Sequence, residues 1–324
     1  MYHIIVNPAS RTGKGKTMWS NLEPVLVDRG VEYKVYFSKK AGHVIELVKE
    51  ISNSVLSESP DTILKLIVLG GDGTLNETFQ GITDFKRVQI GYIPTGSSND
   101  FARDLKYPSD PIVTLNNILD CKTPIYMDLG VLKYNETSQQ LSKLHSASLS
   151  TTRYFDVSCG IGYDAAICEE ALVSKIKKAL NKIGLGKLVY LCISLKQLFT
   201  TKRDDVVMTL DDNEQIHLTN FLFAAFMIHQ YEGGGFMFCP NADYQDGVIE
   251  ICAVSNISNF TVLRALPKAL KGEHYKFKGV EHYAGKKIEI RTTSPLWVHT
   301  DGEVSMKSTS ITITCEKGAI ALLK

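Results

Sequence analysis

The chain has no run of about 20 apolar residues, the length that an α-helix needs to cross a bilayer. The longest apolar stretches cover residues 185–199 and 218–228, and the first of them is interrupted by two lysines. The sequence also enters the strand-like segment 2–6 directly after its first residue, without the basic and apolar regions of a secretory signal. We therefore expect a cytoplasmic protein without a membrane-spanning helix.

The seven cysteines are not arranged for metal binding or redox chemistry. No two of them form a CxxC pair, and none has a histidine at the spacing of a zinc site. Most are flanked by apolar residues, as in segments 191–193 and 251–253. We therefore expect reduced, buried thiols in a cytosolic protein and no metal–thiolate site. The cysteines are residues 121, 159, 168, 192, 239, 252 and 315.

Neither sign of charge is in excess over the whole chain, because 36 Lys and Arg stand against 35 Asp and Glu. A net charge of +1 gives no overall attraction for nucleic acid, and no nucleic-acid partner is expected. Residues 174–203 are the local exception, with eight basic residues, no acidic residue and interleaved apolar ones. This mixture is typical of a helix pair on an anionic membrane surface, and equally of solvated helix faces over a core.

A length of 324 residues suits two domains, each with its own core. Residues 1–123 alternate short apolar runs with amphipathic segments, which predicts an α/β domain with helices on both faces of a parallel sheet. The predicted strands cover residues 3–6, 33–37, 64–69 and 89–93, and the predicted helices cover 16–28, 44–55, 75–81, 99–104 and 112–119.

Residues 124–324 predict a second, β-rich domain, whose last strand is free to return to the first domain. Residues 135–150 are rich in Ser and Gln and predict an exposed loop. The predicted strands cover residues 125–134, 154–159, 206–210, 216–228, 248–254, 287–291 and 310–315, and two helices cover 164–181 and 187–199.

The most informative segment is Gly-Gly-Asp-Gly-Thr-Leu-Asn-Glu at residues 70–77, directly after a predicted strand. Its three glycines permit positive φ angles and close approach of the backbone to a ligand. With Thr74 as the cap of a helix that begins near Leu75, backbone amides would face a phosphate. Asp72 would repel that phosphate unless a cation lies between them, which indicates Mg²⁺. The alternative is a strand-to-helix turn without a ligand.

Two other segments follow predicted strands of the same sheet. Residues 7–17 resemble a P-loop but have Ser10 where that motif requires glycine, so they predict a generic phosphate loop or an ordinary basic loop. Residues 94–103 add Ser and Asn donors, or form a helix entry capped by Ser98 or Asn99. Because ligands collect at the carboxyl ends of parallel strands, we expect all three segments to lie at one edge.

The second domain contains three polar or glycine-rich segments. Asp301-Gly302-Glu303 follows a predicted strand, and Glu303 is a candidate general base for a hydroxyl; the alternative is a solvated turn. Three consecutive glycines at 233–235 indicate a close approach of the backbone. In the segment 240–247, Asp246-Gly247 is typical of a hairpin turn, or with nearby carbonyls could hold a hard cation.

These motifs, in this order, resemble the bacterial diacylglycerol kinase-like lipid kinases, a cytosolic family related to sphingosine and ceramide kinases. The resemblance covers nearly the whole chain. It rests on the Asn-Pro loop at residues 7–15, the octapeptide at 70–77, the segment Gly-Ser-Ser-Asn-Asp at 96–100, the glycines and Pro-Asn-Ala and Asp-Gly pairs at 234–247, and Asp-Gly-Glu at 301–303.

The resemblance implies an ATP-binding N-terminal domain, a sandwich-like C-terminal domain and an active site in the cleft between them. It implies that Asp72 organises Mg²⁺ and that Asp301 and Glu303 face the acceptor hydroxyl, with Glu303 as base. A second, structural Mg²⁺ would be held by Asp246 and backbone oxygens near Asp243 and Val248. The implied nucleotide site comprises Asn7, Ser10, Ser38, Gly70, Gly71, Asp72, Gly73, Thr74, Asn76, Glu77, Gly96 and Ser97.

The sequence departs from the family pattern in small ways. Ser38 and Ser97 stand where relatives often have Thr, which keeps the hydroxyl. Arg11-Thr12 replaces the more usual Ser-Gly of the first loop.

The activity implied is ATP- and Mg²⁺-dependent phosphorylation of a membrane lipid, chiefly diacylglycerol to phosphatidic acid. The protein would sit peripherally on the cytoplasmic leaflet, and a homodimer is left open. NAD kinases share the Gly-Gly-Asp-Gly-Thr motif and are the first alternative; a non-catalytic lipid- or nucleotide-binding protein is the second. Asn76-Glu77, the segment 301–303 and the basic segment 174–203 favour a lipid acceptor.

Overall fold

The computed structural model describes residues 1–136, 150–173 and 186–324. Two predicted segments therefore fall largely outside the described residues, namely the loop at 137–149 and the basic residues 174–185. The chain divides into a first unit, Met1–Leu129 with Glu316–Lys324, and a second unit, Gly130–Cys315. The predicted fold class, an α/β domain followed by a β-rich domain, is confirmed.

The first unit contains a parallel sheet in the order β13-β4-β3-β1-β2, in which β13 is the last strand of the chain, Glu303–Leu323. Only residues 321–323 of the long last strand take part in it, paired with β4. The strands that begin in this unit are β1 (Tyr2–Val6), β2 (Tyr33–Phe37), β3 (Leu64–Gly70), β4 (Val88–Pro94) and β5 (Ile125–Tyr134), and the helices are α1 (Ser10–Asp28), α2 (His43–Leu56), α3 (Asp72–Gly81), α4 (Asp100–Asp104) and α5 (Pro111–Asp120).

Burial of apolar faces explains these elements. In α2, Val44, Val48 and Ile51 recur at helical spacing and are buried, while Glu46, Lys49 and Glu50 between them are exposed. Helix α5 begins at Pro111, a residue suited to the first helical turn, and the Asp110 carboxylate accepts the amide of Ile112 at 2.8 Å. The core of the unit is completed by Ile4, Val6, Trp19, Leu22, Leu26, Ile67, Leu69, Ile93, Leu115, Ile118 and Leu323.

Parallel pairing brings the ends of four strands to one edge of the first unit. Asn7, Ser38 and Gly71 follow β1, β2 and β3, and Thr95 follows β4. Backbone hydrogen bonds continue the ladder past the strands, since the Asn7 amide donates to the Leu69 carbonyl and the Thr95 amide to the Gly70 carbonyl. The three segments predicted to bind phosphate therefore lie side by side.

The second unit is mainly antiparallel, in the order β11-β10-β9-β7-β12-β13. The first parts of β9 and β12 are joined through β8, and their second parts through β7, around a shared apolar core. The strands are β6 (Thr152–Phe155), β7 (Ser158–Gly162), β8 (Asp204–Leu210), β9 (Glu214–Met227), β10 (Ile249–Ser255), β11 (Val280–Gly285), β12 (Lys287–Thr300) and β13 (Glu303–Leu323).

In the described part of the second unit there are three α-helices: α6 (Tyr163–Val173), α7 (Gly186–Thr200) and α8 (Asn259–Ala269). Leu198 of α7 and Val262 of α8 belong to one apolar cluster with Phe223 of β9. Neither α8 nor β11 was predicted from the sequence. Helix α8 contains Pro267, a residue that usually interrupts a helix. Its start is set by Ser258, whose hydroxyl accepts the Thr261 amide at 3.1 Å.

Two sequence-based expectations are wrong in detail. The predicted strand 154–159 is two strands, β6 and β7, separated at residues 156–157, whose amides donate to the side chain of Asp301 instead of to a neighbouring strand. Cys192 is exposed on α7 rather than buried, while Cys159, Cys239 and Cys252 are buried as expected. Among the described helices, none combines the length and the apolar character that crossing a bilayer requires.

Candidate functional site

The octapeptide forms a junction in which α3 begins almost directly on the end of β3. The strand ends at Gly70, the helix begins at Asp72, and Gly71 between them has a φ of −98°. None of Gly70, Gly71 and Gly73 has a positive φ, so the conformational freedom that the sequence permits is not used here. Their requirement is space: a Cβ on Gly70 would lie 2.4 Å from the Thr74 Cβ, and one on Gly71 would lie 3.0 Å from the Gly96 Cα.

Asp72 occupies the first position of α3, where a carboxylate is favoured by the helix dipole. Its Oδ2 accepts the backbone amide of Asp100 at 3.2 Å, which ties the start of α3 to the start of α4. The Asp100 side chain is buried, and its Oδ1 lies 3.6 Å from the Arg103 Nε. Two carboxylates beside the phosphate segments are the ligand type that Mg²⁺ prefers. The sequence analysis did not single out Asp100.

The polar side chains of the edge hold the three segments together. The Asn7 Nδ2 donates to the Thr74 Oγ1 at 2.9 Å, so Thr74 receives a bond from another loop and is not the predicted helix cap. The hydroxyls of Ser10 and Thr95 are hydrogen-bonded at 2.8 Å, and both side chains are buried. A Cβ on Gly15 would lie 2.0 Å from the Asn7 carbonyl oxygen, so only glycine fits beneath the first loop.

The first loop is shorter than predicted. Helix α1 begins at Ser10 and not near residue 16, although the positive φ angles of Arg11 and Gly13 make its first turn irregular. Lys14 and Lys16 are exposed in the next turn. This region combines backbone in unusual conformations with positive charge, as phosphate-binding loops do.

Asn76 and Glu77 have structural contacts. The Asn76 side chain is completely buried, and its Oδ1 accepts from the Gln80 Nε2. The Glu77 carboxylate accepts the backbone amides of Gly42 at 2.8 Å and Val44 at 3.2 Å, and thereby caps α2 from a different helix. These contacts account for both residues without a nucleotide.

The remaining predicted nucleotide positions lie at the same edge. The Gly96 amide donates to the Asn99 Oδ1 at 2.9 Å, so Asn99 stabilises the turn and does not cap α4 with its side chain. Ser97 is exposed, which leaves its hydroxyl accessible. The Ser38 side chain is buried, and its amide donates to the Val6 carbonyl at 2.9 Å.

In the second unit, Asp301 and Gly302 are the two central residues of a hairpin between β12 and β13. Thr300 pairs with Glu303, and Asp301 and Gly302 have φ angles of 49° and 81°, the signs that a type I′ turn requires. The Asp301 carboxylate accepts three backbone amides, those of residues 156–158, at 2.9 to 3.2 Å. Asp301 therefore anchors the hairpin, and Glu303, partly exposed, is the first residue after it.

A polar cluster that was not predicted from the sequence lies behind this hairpin, with one fully buried histidine and two partly exposed carboxylates. The His299 Nε2 is 3.2 Å from the Asp164 Oδ2 and 3.2 Å from the Glu232 Oε1. These three residues are far apart in the sequence and belong to no recognisable motif. His299 is in β12, Asp164 is in α6 and Glu232 is in the loop after β9, so only the packing of these elements brings them together.

The segment predicted to hold a second cation is a polar loop before β10. The Asp243 Oδ1 accepts the Gln245 amide at 3.0 Å, and the Asp246 Oδ1 accepts the Val248 amide at 2.8 Å. Both aspartates are exposed. Carboxylates of this kind are suitable ligands for a hard cation, and Mg²⁺ at Asp243, Asp246 and Val248 stays a prediction.

The three consecutive glycines upstream of that loop form a left-handed turn. Gly233, Gly234 and Gly235 all have positive φ angles, and Glu232 pairs with Phe236 across them. The nearest atom to a Cβ on Gly233 would be in the Phe236 ring, at an ordinary 3.5 Å. The turn fixes the backbone next to Glu232.

Two long segments of the chain match models of known protein families. Residues 1–130 match the model of the diacylglycerol kinase catalytic domain. Residues 158–324 match the model of the YegS C-terminal NAD kinase beta sandwich-like domain.

Individual proteins resemble the chain over nearly its full length. It is 27% identical over 305 residues to the Bacillus subtilis protein named "Putative lipid kinase YtlR", covering 94% of this chain and 93% of that one. It is 27% identical over 309 residues to a diacylglycerol kinase of Staphylococcus epidermidis, covering 94% and 86%. A crystal structure described as a diacylglycerol kinase of Bacillus anthracis has a TM-score of 0.69 at 24% identity, covers 99% of this chain and 96% of that one, and supports the fold.

Proposed function

Because the chain belongs to the diacylglycerol kinase-like lipid kinase family, we propose that it transfers the γ-phosphate of ATP to the hydroxyl of diacylglycerol, giving phosphatidic acid. The observation that carries the proposal is the edge of the first unit, where the phosphate segments are hydrogen-bonded to one another around the start of α3. A helix N-terminus with accessible amides is suited to binding phosphate.

Asp72 would hold Mg²⁺ at this edge, with Asp100 beside it. The ion, when bound to ATP, neutralises charge on the phosphate oxygens. The chain's own contribution is to fix the carboxylate: Asp72 is held by the Asp100 amide, and Asp100 itself is buried. The role of Thr74 and Asn7 is to keep the start of α3 in register with the first loop.

Glu303 would act as general base. In the transfer, the acceptor oxygen forms a bond to the γ-phosphorus while the bond to the oxygen shared with the β-phosphate breaks, and ADP leaves. The hydroxyl proton passes to the Glu303 carboxylate as the new bond forms. The type I′ turn supports this role, because it holds the residue that follows it in one backbone position.

The acceptor is tested directly with γ-labelled ATP, Mg²⁺ and diacylglycerol in mixed micelles. The expected product is labelled phosphatidic acid, with no labelled product when NAD is the sole acceptor. Labelling of NAD alone would favour the NAD kinase alternative. Tight ATP binding without transfer to any lipid of a broad panel would favour a non-catalytic binding protein.

An exposed apolar surface supports peripheral association with a membrane. On α7, Leu191, Leu195 and Phe199 recur at four-residue spacing and are exposed. On α8, Phe260 and Leu263 are exposed, and Phe260 at 70% and Phe199 at 66% are the most exposed large hydrophobic side chains of the described chain.

The two helices are connected where these phenylalanines lie. The Arg203 Nη2, three residues beyond the end of α7, donates to the Asn259 Oδ1 at 2.6 Å, at the first residue of α8. Helix α8 contains no acidic residue. Arg264 and Lys268 follow Phe260 at intervals of four residues, so they lie on the same face of the helix and are exposed there. Aromatic side chains bordered by basic ones are typical of a surface that binds anionic lipid. We name Leu191, Leu195, Phe199, Phe260, Leu263, Arg264 and Lys268 the basic–apolar surface.

Replacing Phe199 and Phe260 by Ser is expected to weaken binding to anionic vesicles. Loss of partial ring burial in the bilayer is worth about 1–2 kcal/mol per ring, so the double variant should lose about 2–4 kcal/mol, or roughly 30- to 900-fold in the partition constant. Vesicle sedimentation at low salt measures this. Val27→Ser, at an exposed site on α1, is the matched control and should leave binding unchanged.

Equal binding by the double Phe variant and the wild type would remove the membrane role of this surface. Reversal of Lys177, Lys178 and Lys182 to Glu, which tests the sequence-based docking hypothesis, concerns residues outside the described ranges.

A further inference from the structure

We propose that His299 is a positioning residue for Glu303: its Nδ1 accepts the Gly302 amide of the hairpin turn, and Asp164 and Glu232 keep the ring proton on Nε2. The inference rests on the proposed role of Glu303 as base. His299 would act through the turn and would not touch the substrate.

The contacts on both sides of the ring carry the inference. The Gly302 amide lies 3.2 Å from the His299 Nδ1, so one ring nitrogen holds the turn itself. The Nε2 faces Asp164 on α6 and Glu232 after β9, each at 3.2 Å. The His299 side chain is 0% exposed, and water cannot substitute for these partners.

Gly160 leaves room for the contact between His299 and Asp164. It lies opposite His299 in the pairing of β7 with β12. A Cβ at Gly160 would lie 2.0 Å from the Asp164 Oδ2 and 2.4 Å from the His299 Nε2. Its φ is not positive, so glycine is required by the carboxylate and imidazole, not by the backbone conformation.

The same geometry favours a proton over a metal ion, although the three side chains also have the composition of a metal site. A metal on Nε2 would require the ring proton on Nδ1. Both Nδ1 and the Gly302 amide nitrogen would then carry a hydrogen, and neither could accept. This contradicts the hydrogen bond that the Gly302 amide donates to Nδ1. With the proton on Nε2, the ring donates toward the two carboxylates and accepts from the turn.

A second proton on the ring would break the bond to Gly302. Burial disfavours the charged ring and lowers the pKa of His299, whereas the hydrogen bonds to Asp164 and Glu232 favour the charged ring and raise it. The bond from the Gly302 amide requires an unprotonated Nδ1, so the neutral ring is the form that holds the turn.

Two variants separate the two sides of the ring. In His299→Asn, the side-chain oxygen lies near the former Nδ1 and can accept from Gly302, but no donor reaches the carboxylates. In His299→Gln, the amide nitrogen lies near the former Nε2 and can donate to the carboxylates, but the acceptor for Gly302 is lost. The Gln variant keeps the buried carboxylates partnered, and the Asn variant keeps the turn.

We expect a crossed result, in which the Gln variant is the more stable and the Asn variant the more active. A misplaced base costs of the order of 10-fold to 100-fold, so kcat should fall about that much in His299→Gln and only a few-fold in His299→Asn, with KM for ATP unchanged. Stability is measured by urea unfolding in a Trp19→Phe background, in which Trp297 is the sole tryptophan.

His274→Asn is the matched control. His274 is also a buried histidine of the second unit, with its Nε2 on the Phe238 carbonyl at 3.0 Å. Its replacement should cost stability without changing kcat of the folded protein. Activity that follows stability in all three variants would overturn the positioning role.

Histidine NMR on labelled wild-type protein gives a readout that does not depend on kinase activity. The signals absent from His299→Asn belong to His299 and should report a protonated Nε2 and an unprotonated Nδ1. Loss of the Nε2 proton on addition of Zn²⁺ or Mn²⁺ alone would overturn the inference in favour of a metal site. Activity retained by Glu303→Gln, with the NMR result as expected, would instead overturn only the proposed base.

Discussion

Replacing Glu303 by Gln is expected to lower kcat for lipid phosphorylation by about 10²- to 10⁴-fold, the contribution of a general base. Gln keeps the size of the side chain but cannot take the hydroxyl proton. The turn itself should persist, because Asp301 and Gly302 supply its anchoring bonds to residues 156–158 and His299. The initial rate with γ-labelled ATP and diacylglycerol measures the loss.

Glu316→Gln is the control, because Glu316 lies on the same strand and is exposed. It should retain the wild-type rate. The melting curves of both variants should match that of the wild type. A Glu303→Gln variant with near wild-type kcat would show that Glu303 is not the base.

Gly70→Ala is expected to destabilise the first unit by about 1–3 kcal/mol, the usual cost of an extra methyl group in a packed core. The added Cβ would lie 2.4 Å from the Thr74 Cβ, and Thr74 is buried and bonded to Asn7. The start of α3 would have to move away from β3, so the KM for ATP should also rise.

Urea unfolding in a Trp297→Phe background measures this, because Trp19, in the core of the first unit, is then the sole tryptophan. Gly285→Ala is the control: it has no positive φ, and its Cβ would meet nothing closer than 3.6 Å. An unchanged unfolding midpoint for Gly70→Ala would mean that the junction has more space than the contacts indicate.

The glycines illustrate how far a sequence motif can be interpreted. In both Gly-rich segments the sequence indicates that a side chain is not tolerated, but it does not say why. At Gly70 and Gly71 the reason is close packing against Thr74 and Gly96, and at 233–235 it is the positive φ of each residue. The sequence permitted both reasons at 70–73 and indicated only close approach at 233–235, because a glycine carries no local sign of its φ or its neighbours.

The edge of the first unit could be predicted because its parts are local. Each apolar run followed by a polar turn predicts a strand and its end, and parallel pairing then brings Asn7, Gly71 and Thr95 together. Which side chain contacts which could not be predicted in this way. Glu77 caps α2, and Asp72 receives the amide of Asp100, through contacts between residues 28 to 35 positions apart.

The sequence by itself therefore determined the family, the fold class and the position of Glu303 at a polar turn after a strand, because strand runs, turn residues and motif order are properties of neighbouring residues. Only the tertiary structure brought His299 together with Asp164 and Glu232 behind that turn. Their chain separations are large, so no local pattern marks them. They meet because antiparallel pairing of β7 with β12 places Gly160 opposite His299, where the absence of a side chain leaves room for a carboxylate.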